Sequence, residues 1–136
     1  MVRMATIPAG LKGELKRRVS DDIAIHFLGL EGARVLATPA MIMLLEMTCR
    51  DSILPHLEAG FDSVGTEVKV RHLAATPMGM EVTFQSEVIA VDDRRVRFKV
   101  AAFDAKEQIA DGTHERFVIN VERFAARLKE KAAGAR

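Results

Sequence analysis

Between residues 63 and 120 apolar and polar side chains alternate with the period of two that marks half-buried strands. Val64, Thr66, Val68, Val70 and His72 share one face, with Glu67, Lys69 and Arg71 on the other. Thr76-Pro77-Met78-Gly79 reads as a turn. A second strand puts Val82, Phe84, Ser86, Val88 and Ala90 inward, with Glu81, Thr83, Gln85 and Glu87 outward. Asp92-Asp93-Arg94-Arg95 leads to a third strand, with Val96, Phe98, Val100 and Ala102 inward. The turn from Asp104 to Gln108 leads to a fourth, Ile109 to Asn120. Ahead of this block, Gly13 to Val19 is a short strand candidate that Ser20-Asp21-Asp22 breaks. Residues 26–37 hold Gly29 and Gly32 and no regular period, so a loop is expected there. Val121 to Lys131 reads as a short charged helix.

One segment follows a different rule. Thr38-Pro39 is a helix-start signature, a capping hydroxyl followed by Pro at the first helical position. Ala40 to Leu54 then places Met, Ile and Leu around most of the helical wheel, which marks a buried helix. Pro55 and Gly60 end it. Strand, helix and four strands with short connections predict antiparallel neighbours and a two-layer α+β domain. One sheet face cannot cover so apolar a helix, so a second copy is expected to cover the rest in a homodimer. The 136 residues fit a single domain, 1–136, with flexible ends at 1–9 and 132–136.

Composition narrows the function classes. Twenty Lys and Arg against 19 Asp and Glu give a net charge of +1, too balanced for a broad nucleic-acid footprint. With seven Phe and no Trp or Tyr, a base-stacking platform is not expected. No apolar run approaches the length of a membrane span, so no membrane partner is expected. The lone Cys49 has no disulfide partner and reads as an inert buried thiol, and the first nine residues lack an apolar signal core. Both suit a cytoplasmic protein. His26 and His56 have no partner at ligand spacing, so no metal site is expected.

A few polar residues stand where the pattern calls for apolar ones. Glu46 lies on the helix between Ile42 and Ile53 on one side and Met43 and Leu54 on the other. A carboxylate among such neighbours is poorly solvated and suited to act as base or nucleophile. It also stands four residues before Arg50, the spacing of an ion pair. His72 falls on the inward face of its strand, as a proton carrier or as a hydrogen-bonded core residue. Thr38 is a helix cap by position. Gly65 leaves room for a ligand to reach the backbone, or marks a bulge. His114 and Arg116 share a face of the last strand. Arg116 could hold a carboxylate or phosphate, or pair with Glu115 or Asp111.

The order of elements resembles the hotdog fold, a curled antiparallel β-sheet wrapped around a long central α-helix. Gly65-Thr66-Glu67-Val68-Lys69-Val70-Arg71-His72-Leu73-Ala74-Ala75-Thr76-Pro77-Met78-Gly79, Gly112-Thr113-His114-Glu115-Arg116 and the helix around Leu44-Leu45-Glu46-Met47 together resemble the fluoroacetyl-CoA thioesterase family. The resemblance implies hydrolysis of a small acyl-CoA thioester to free acid and CoA, with coenzyme A as part of the substrate and no separate cofactor. It implies catalytic roles for Thr38, Glu46 and His72, a Gly65 backbone N–H near the thioester carbonyl, and Arg116 at the substrate. The family's lid is rich in Phe ahead of the Thr. Here residues 28–36 hold none and Phe27 is the only Phe nearby, so the resemblance does not carry the fluorinated substrate over. A hydratase or dehydratase on the same fold, and a non-catalytic acyl-CoA-binding module, are the competing readings. Eight residues separate Thr38 from Glu46, about 12 Å along a straight helix. They meet only through the substrate, through a later helix start, or across a dimer.

Overall fold

The structure, a computed structural model, describes residues 6–135. Strand β1 (Lys12–Arg18) leads through a segment with short 3₁₀ turns at Asp21–Ile23 and Glu31–Ala33 to helix α1 (Thr38–Ile53). Strands β2 (Phe61–His72), β3 (Glu81–Asp92), β4 (Arg95–Phe103) and β5 (Gln108–Asn120) follow, then helix α2 (Val121–Ala133). All pairings are antiparallel, in the order β1-β3-β4-β5-β2.

The inward alternation of the strands builds the core against α1. Met41, Leu45, Cys49 and Ile53 of the helix meet Val82, Phe84 and Val88 of β3, Val96, Phe98 and Val100 of β4, and Ile109 and Val118 of β5. Each large side chain fully withdrawn from water here contributes about 1.5–3 kcal/mol before entropy is charged against it. Gly13 sets how closely α1 approaches β1. A Cβ there would stand 2.8 Å from Ser52 Cβ and 3.0 Å from the Thr48 carbonyl oxygen.

Three expectations need correction. First, β2 and β3 are consecutive but not neighbours: β2 lies at the far edge, beside β5. The connection 73–80 is a crossover rather than a hairpin. It is pinned by Leu36 N–H to the Thr76 carbonyl, by Gly79 N–H to the Val19 carbonyl and by Thr76 Oγ1 to Asp104. Three strand spacings are about 14 Å, well within the reach of eight residues, roughly 26 Å. Second, a register shift between Val88 and Ala90 ends the alternation of β3, so Ala90 is exposed instead of inward. Val68 is likewise exposed, because it lies on an edge strand. Third, Ala37 is the helix cap, Thr38 the first helical residue and Pro39 the second, and no side chain caps α1. Ile7 packs in the core, and α2 continues through Ala133. Residues 1–5 and 136 lie outside the described residues.

Candidate active site

Freed from capping, the Thr38 hydroxyl turns to β2. Its Oγ1 lies 2.8 Å from Nδ1 of His72, the last residue of that strand. The other ring nitrogen, Nε2, is closed off from solvent and has no hydrogen-bond partner among the described residues. Burial holds the His72 imidazole below its ordinary pKa, so it is neutral at pH 7. The pair borders an open groove of about 480 Å³ whose other walls are hydrocarbon: Ile25, Phe27, Val35, Leu36, Leu73 and Ala74 among them. Phe27 itself is 79% exposed, on the segment between the two 3₁₀ turns.

Two turns further along α1, Glu46 faces a different part of the sheet. Its Oε2 lies 3.5 Å from Arg116 Nη1 and 3.8 Å from His114 Nε2. It also crowds the space over Gly65, where an added Cβ would run into the carboxylate and stand 3.1 Å from His114 Cε1. Gly65 opens the bulge of β2, where the register on β5 shifts before Glu67. The bulge is braced on both sides. Thr66 Oγ1 donates to Glu115, and His114 Nδ1 lies 2.8 Å from the Glu67 carbonyl oxygen.

Arg116 is buried among polar partners. Its Nε–H donates to Ser63 Oγ at 2.7 Å, Nη2 to the Ser63 carbonyl at 2.7 Å, and Nη1 lies 3.2 Å from His114 Nε2. Desolvation lowers its pKa and the Glu46 carboxylate opposes that, so the guanidinium remains charged. Burial, with the neighbouring Arg116 charge, likewise lowers the pKa of His114. The alternative ion pairs are absent. Arg50 holds Asp62 at 2.6 Å and Asp51 at 3.0 Å instead of Glu46. Glu115 pairs with Arg95 and Arg97, and Asp111 with Arg71. The Glu46 side chain is 35% exposed, more open than its apolar neighbours on the helix suggest, because the sheet opposite presents Gly65, His114 and Arg116 rather than hydrocarbon.

A family model described as fluoroacetyl-CoA-specific thioesterase matches residues 19–122. The chain belongs to that family. It is 43% identical over 101 residues to the fluoroacetyl-CoA thioesterase of Streptantibioticus cattleyicolor, covering 74% of this chain and 73% of the relative. A solved structure of the fluoroacetyl-CoA thioesterase FlK superposes with a TM-score of 0.84 at 35% identity, over 93% of this chain and 98% of that one. A mutant of that enzyme has been solved in complex with fluoroacetate and CoA. A hot-dog-like protein from Thermanaerovibrio acidaminovorans gives a TM-score of 0.84 at 27% identity, over 95% of each chain. The fold is therefore the hotdog fold of this thioesterase family, its five-stranded antiparallel sheet packed on a central helix.

Set on the family's fold, the five residues singled out from the sequence fall into two groups. Thr38 and His72 meet directly, as do Glu46, Gly65 and Arg116. No hydrogen bond or ion pair joins the groups among the described residues, and along α1 they stand about 12 Å apart. Ser63 was not foreseen: it opens the alternating run on the face opposite Val64, and only tertiary packing turns it towards Arg116. His114 was put on one face with Arg116, with neither a role nor a direction for that face. Its signal was there, since an imidazole two residues from an arginine on one inward face must find polar partners. Cys49 is buried, and desolvation pushes its thiol up to about 12. Among the described residues no group of three or more His, Cys, Asp and Glu side chains is placed to hold a metal, and no helix is long and apolar enough to cross a membrane.

Proposed function

We propose that this chain is an acyl-CoA thioesterase that works as a homodimer, with Thr38 and His72 of one protomer facing Glu46, Gly65 and Arg116 of the other. The observation that carries the reading is the Glu46 carboxylate, held over the side-chain-free Gly65 beside a single buried cation. Thioester hydrolysis needs an activated water, a donor for the developing oxyanion and a proton for the departing thiolate. Glu46 takes a proton from water as its oxygen bonds to the carbonyl carbon. The Gly65 N–H receives the oxyanion. As the C–S bond breaks, the proton taken by Glu46 passes to the neutral His72 ring and on to the sulfur, which leaves Glu46 ionised and His72 neutral again, and Thr38 orients the ring. Coenzyme A enters as part of the substrate, and no further cofactor is required.

Dimerisation is supported by the surfaces left open in one protomer. Among the described residues β2 pairs only with β5, so its other edge is free. Met43 and Met47, one turn apart on α1, are 59% and 38% exposed on either side of Glu46 in the chain. A twofold contact covering them buries apolar surface and brings each Glu46 towards the partner subunit.

The test is free-thiol release from a panel of short-chain, branched, aromatic and fluorinated acyl-CoAs, with Glu46→Gln alongside. The substitution keeps the shape and removes the base. Turnover is expected to fall by roughly 10³-fold while the protein stays folded. Undiminished hydrolysis by that variant removes Glu46 from the chemistry. Hydration of an enoyl-CoA without thiol release makes the protein a hydratase instead.

A further inference from the structure

Arg116 stands close to Glu46 without making a hydrogen bond to it. Its Nη1 is 3.5 Å from Oε2, beyond the 2.7–3.2 Å range of N–H···O bonds. A buried guanidinium beside a carboxylate ordinarily closes into a short, often two-pronged pair. Here it is held back. Nε and Nη2 are fixed on Ser63, and Nη1 points to His114 Nε2 at 3.2 Å.

The direction of that last bond follows from chemistry. A carbonyl oxygen only accepts, so the contact at 2.8 Å to the Glu67 carbonyl puts the proton of His114 on Nδ1. A neutral ring then has a bare Nε2, which accepts from Arg116. His114 is buried beside Arg116, and both its desolvation and that cation favour this neutral form.

We propose that His114 is a positioning residue that holds Arg116 short of Glu46. The guanidinium then supplies charge to the site while the carboxylate lone pairs stay free to take a proton. The inference rests on the reading of Glu46 as the base. Without the Nε2 acceptor, Arg116 is left with an unpaired buried N–H, and the carboxylate is the nearest acceptor. It closes on Glu46 and competes with the water.

Two isosteres separate this role from simple bracing of the bulge. An Asn amide reaches the place of Nδ1, and a Gln amide the place of Nε2. His114→Asn keeps the donor to Glu67 and loses the acceptor for Arg116, whereas His114→Gln does the reverse. Thiol release by His114→Asn is expected to lose at least about tenfold in kcat with KM within about twofold, and His114→Gln to recover most of it. Asn as active as the parent, or more active than Gln, overturns the proposal, because the ring would then only brace the bulge. Crystal structures decide the case in which both variants are inactive, and the case in which the parent itself releases no thiol. The Arg116–Glu46 separation is expected below about 3.0 Å in His114→Asn and near its present value in His114→Gln. An unchanged separation in His114→Asn overturns the proposal. Loss of activity in Glu46→Gln alone, with both His114 variants active, overturns this inference and leaves the functional reading standing.

Discussion

The two halves of the site are built differently. Thr38 and His72 lie where a helix start meets the end of an edge strand, with one hydrogen bond between them and one ring nitrogen unpaired. Glu46, by contrast, faces a cluster whose other members are tied down. Arg116 makes three fixed bonds to Ser63 and His114, His114 reaches Glu67 on the neighbouring strand, and Asp62 beside Ser63 is gripped by Arg50. A rigid, charged half and a sparsely bonded neutral half suit different tasks. Fixed dipoles and charges stabilise a developing oxyanion because they need not reorganise. A proton carrier needs a free nitrogen and a modest basicity, which burial gives His72. In the proposed dimer, the roughly 12 Å between the halves on one helix makes each protomer contribute one half to each of two sites.

The sharpest way to break this comparison is to destroy one half in each of two chains. Glu46→Gln and His72→Ala homodimers are each expected to be nearly inactive. Refolded together in equal amounts, half the dimers are mixed and each holds one intact site, so about a quarter of the parent activity returns. No recovery, with mixed dimers demonstrated by mass spectrometry, places all five residues in one protomer's site. His72→Ala taken alone tests the proton carrier. Its kcat is expected to fall about 10²–10⁴-fold, the range of a lost general acid or base. Gly65→Ala probes the rigid half by steric means, since its Cβ would run into the Glu46 carboxylate. A loss of roughly 10–100-fold with unchanged secondary structure is expected, because misplacing a reacting group by about 1 Å costs about that much. Thr38→Ser keeps the hydroxyl on His72 and should retain most activity, while Thr38→Ala should lose about tenfold or less, the worth of one hydrogen bond of about 1 kcal/mol. Equal activity in Ser and Ala variants would reduce Thr38 to a helix residue.

Most of the fold was legible because it depends on local rules. Period-two alternation from Val64 to Ile119, one helix apolar around most of its wheel, and the Pro and Gly breaks indicated element order and the inward face. Sheet order was not legible in the same way. The connection 73–80 looks like a hairpin turn from its Thr-Pro-Met-Gly, and only its bonds to Leu36, Val19 and Asp104 make it a crossover. The site was legible as residues but not as geometry. Glu46 stood out as a charge on an apolar helix, yet its neighbour on the wheel, Arg50, turned out to belong to Asp62. That choice is made by where β2 begins, which no helical spacing encodes. Thr38 misled in the opposite sense: its position suits a cap, but the helix starts one residue earlier than a Thr cap requires.

The smallest expected effect concerns stability, and it distinguishes the halves again. Burial lowers the pKa of both His72 and His114 in the folded protein. The unfolded chain therefore binds protons at these rings first as the pH drops through about 6.5. Over that range the unfolded state holds more protons, so stability rises with pH and falls on acidification. The loss begins near pH 7 and stops growing for each ring once the pH passes its lowered folded value. A lower melting temperature at pH 5.5 than at pH 7.5 is expected. His114→Gln removes one ring without removing the Arg116 acceptor, so its melting curve should vary less with pH than the parent's. His72→Gln should flatten it less, because His72 is only half-buried and His114 almost fully so. Equal flattening by the two variants would mean that the rings are equally desolvated in the assembled protein. The partner would then cover the Thr38–His72 half as thoroughly as the sheet covers the other.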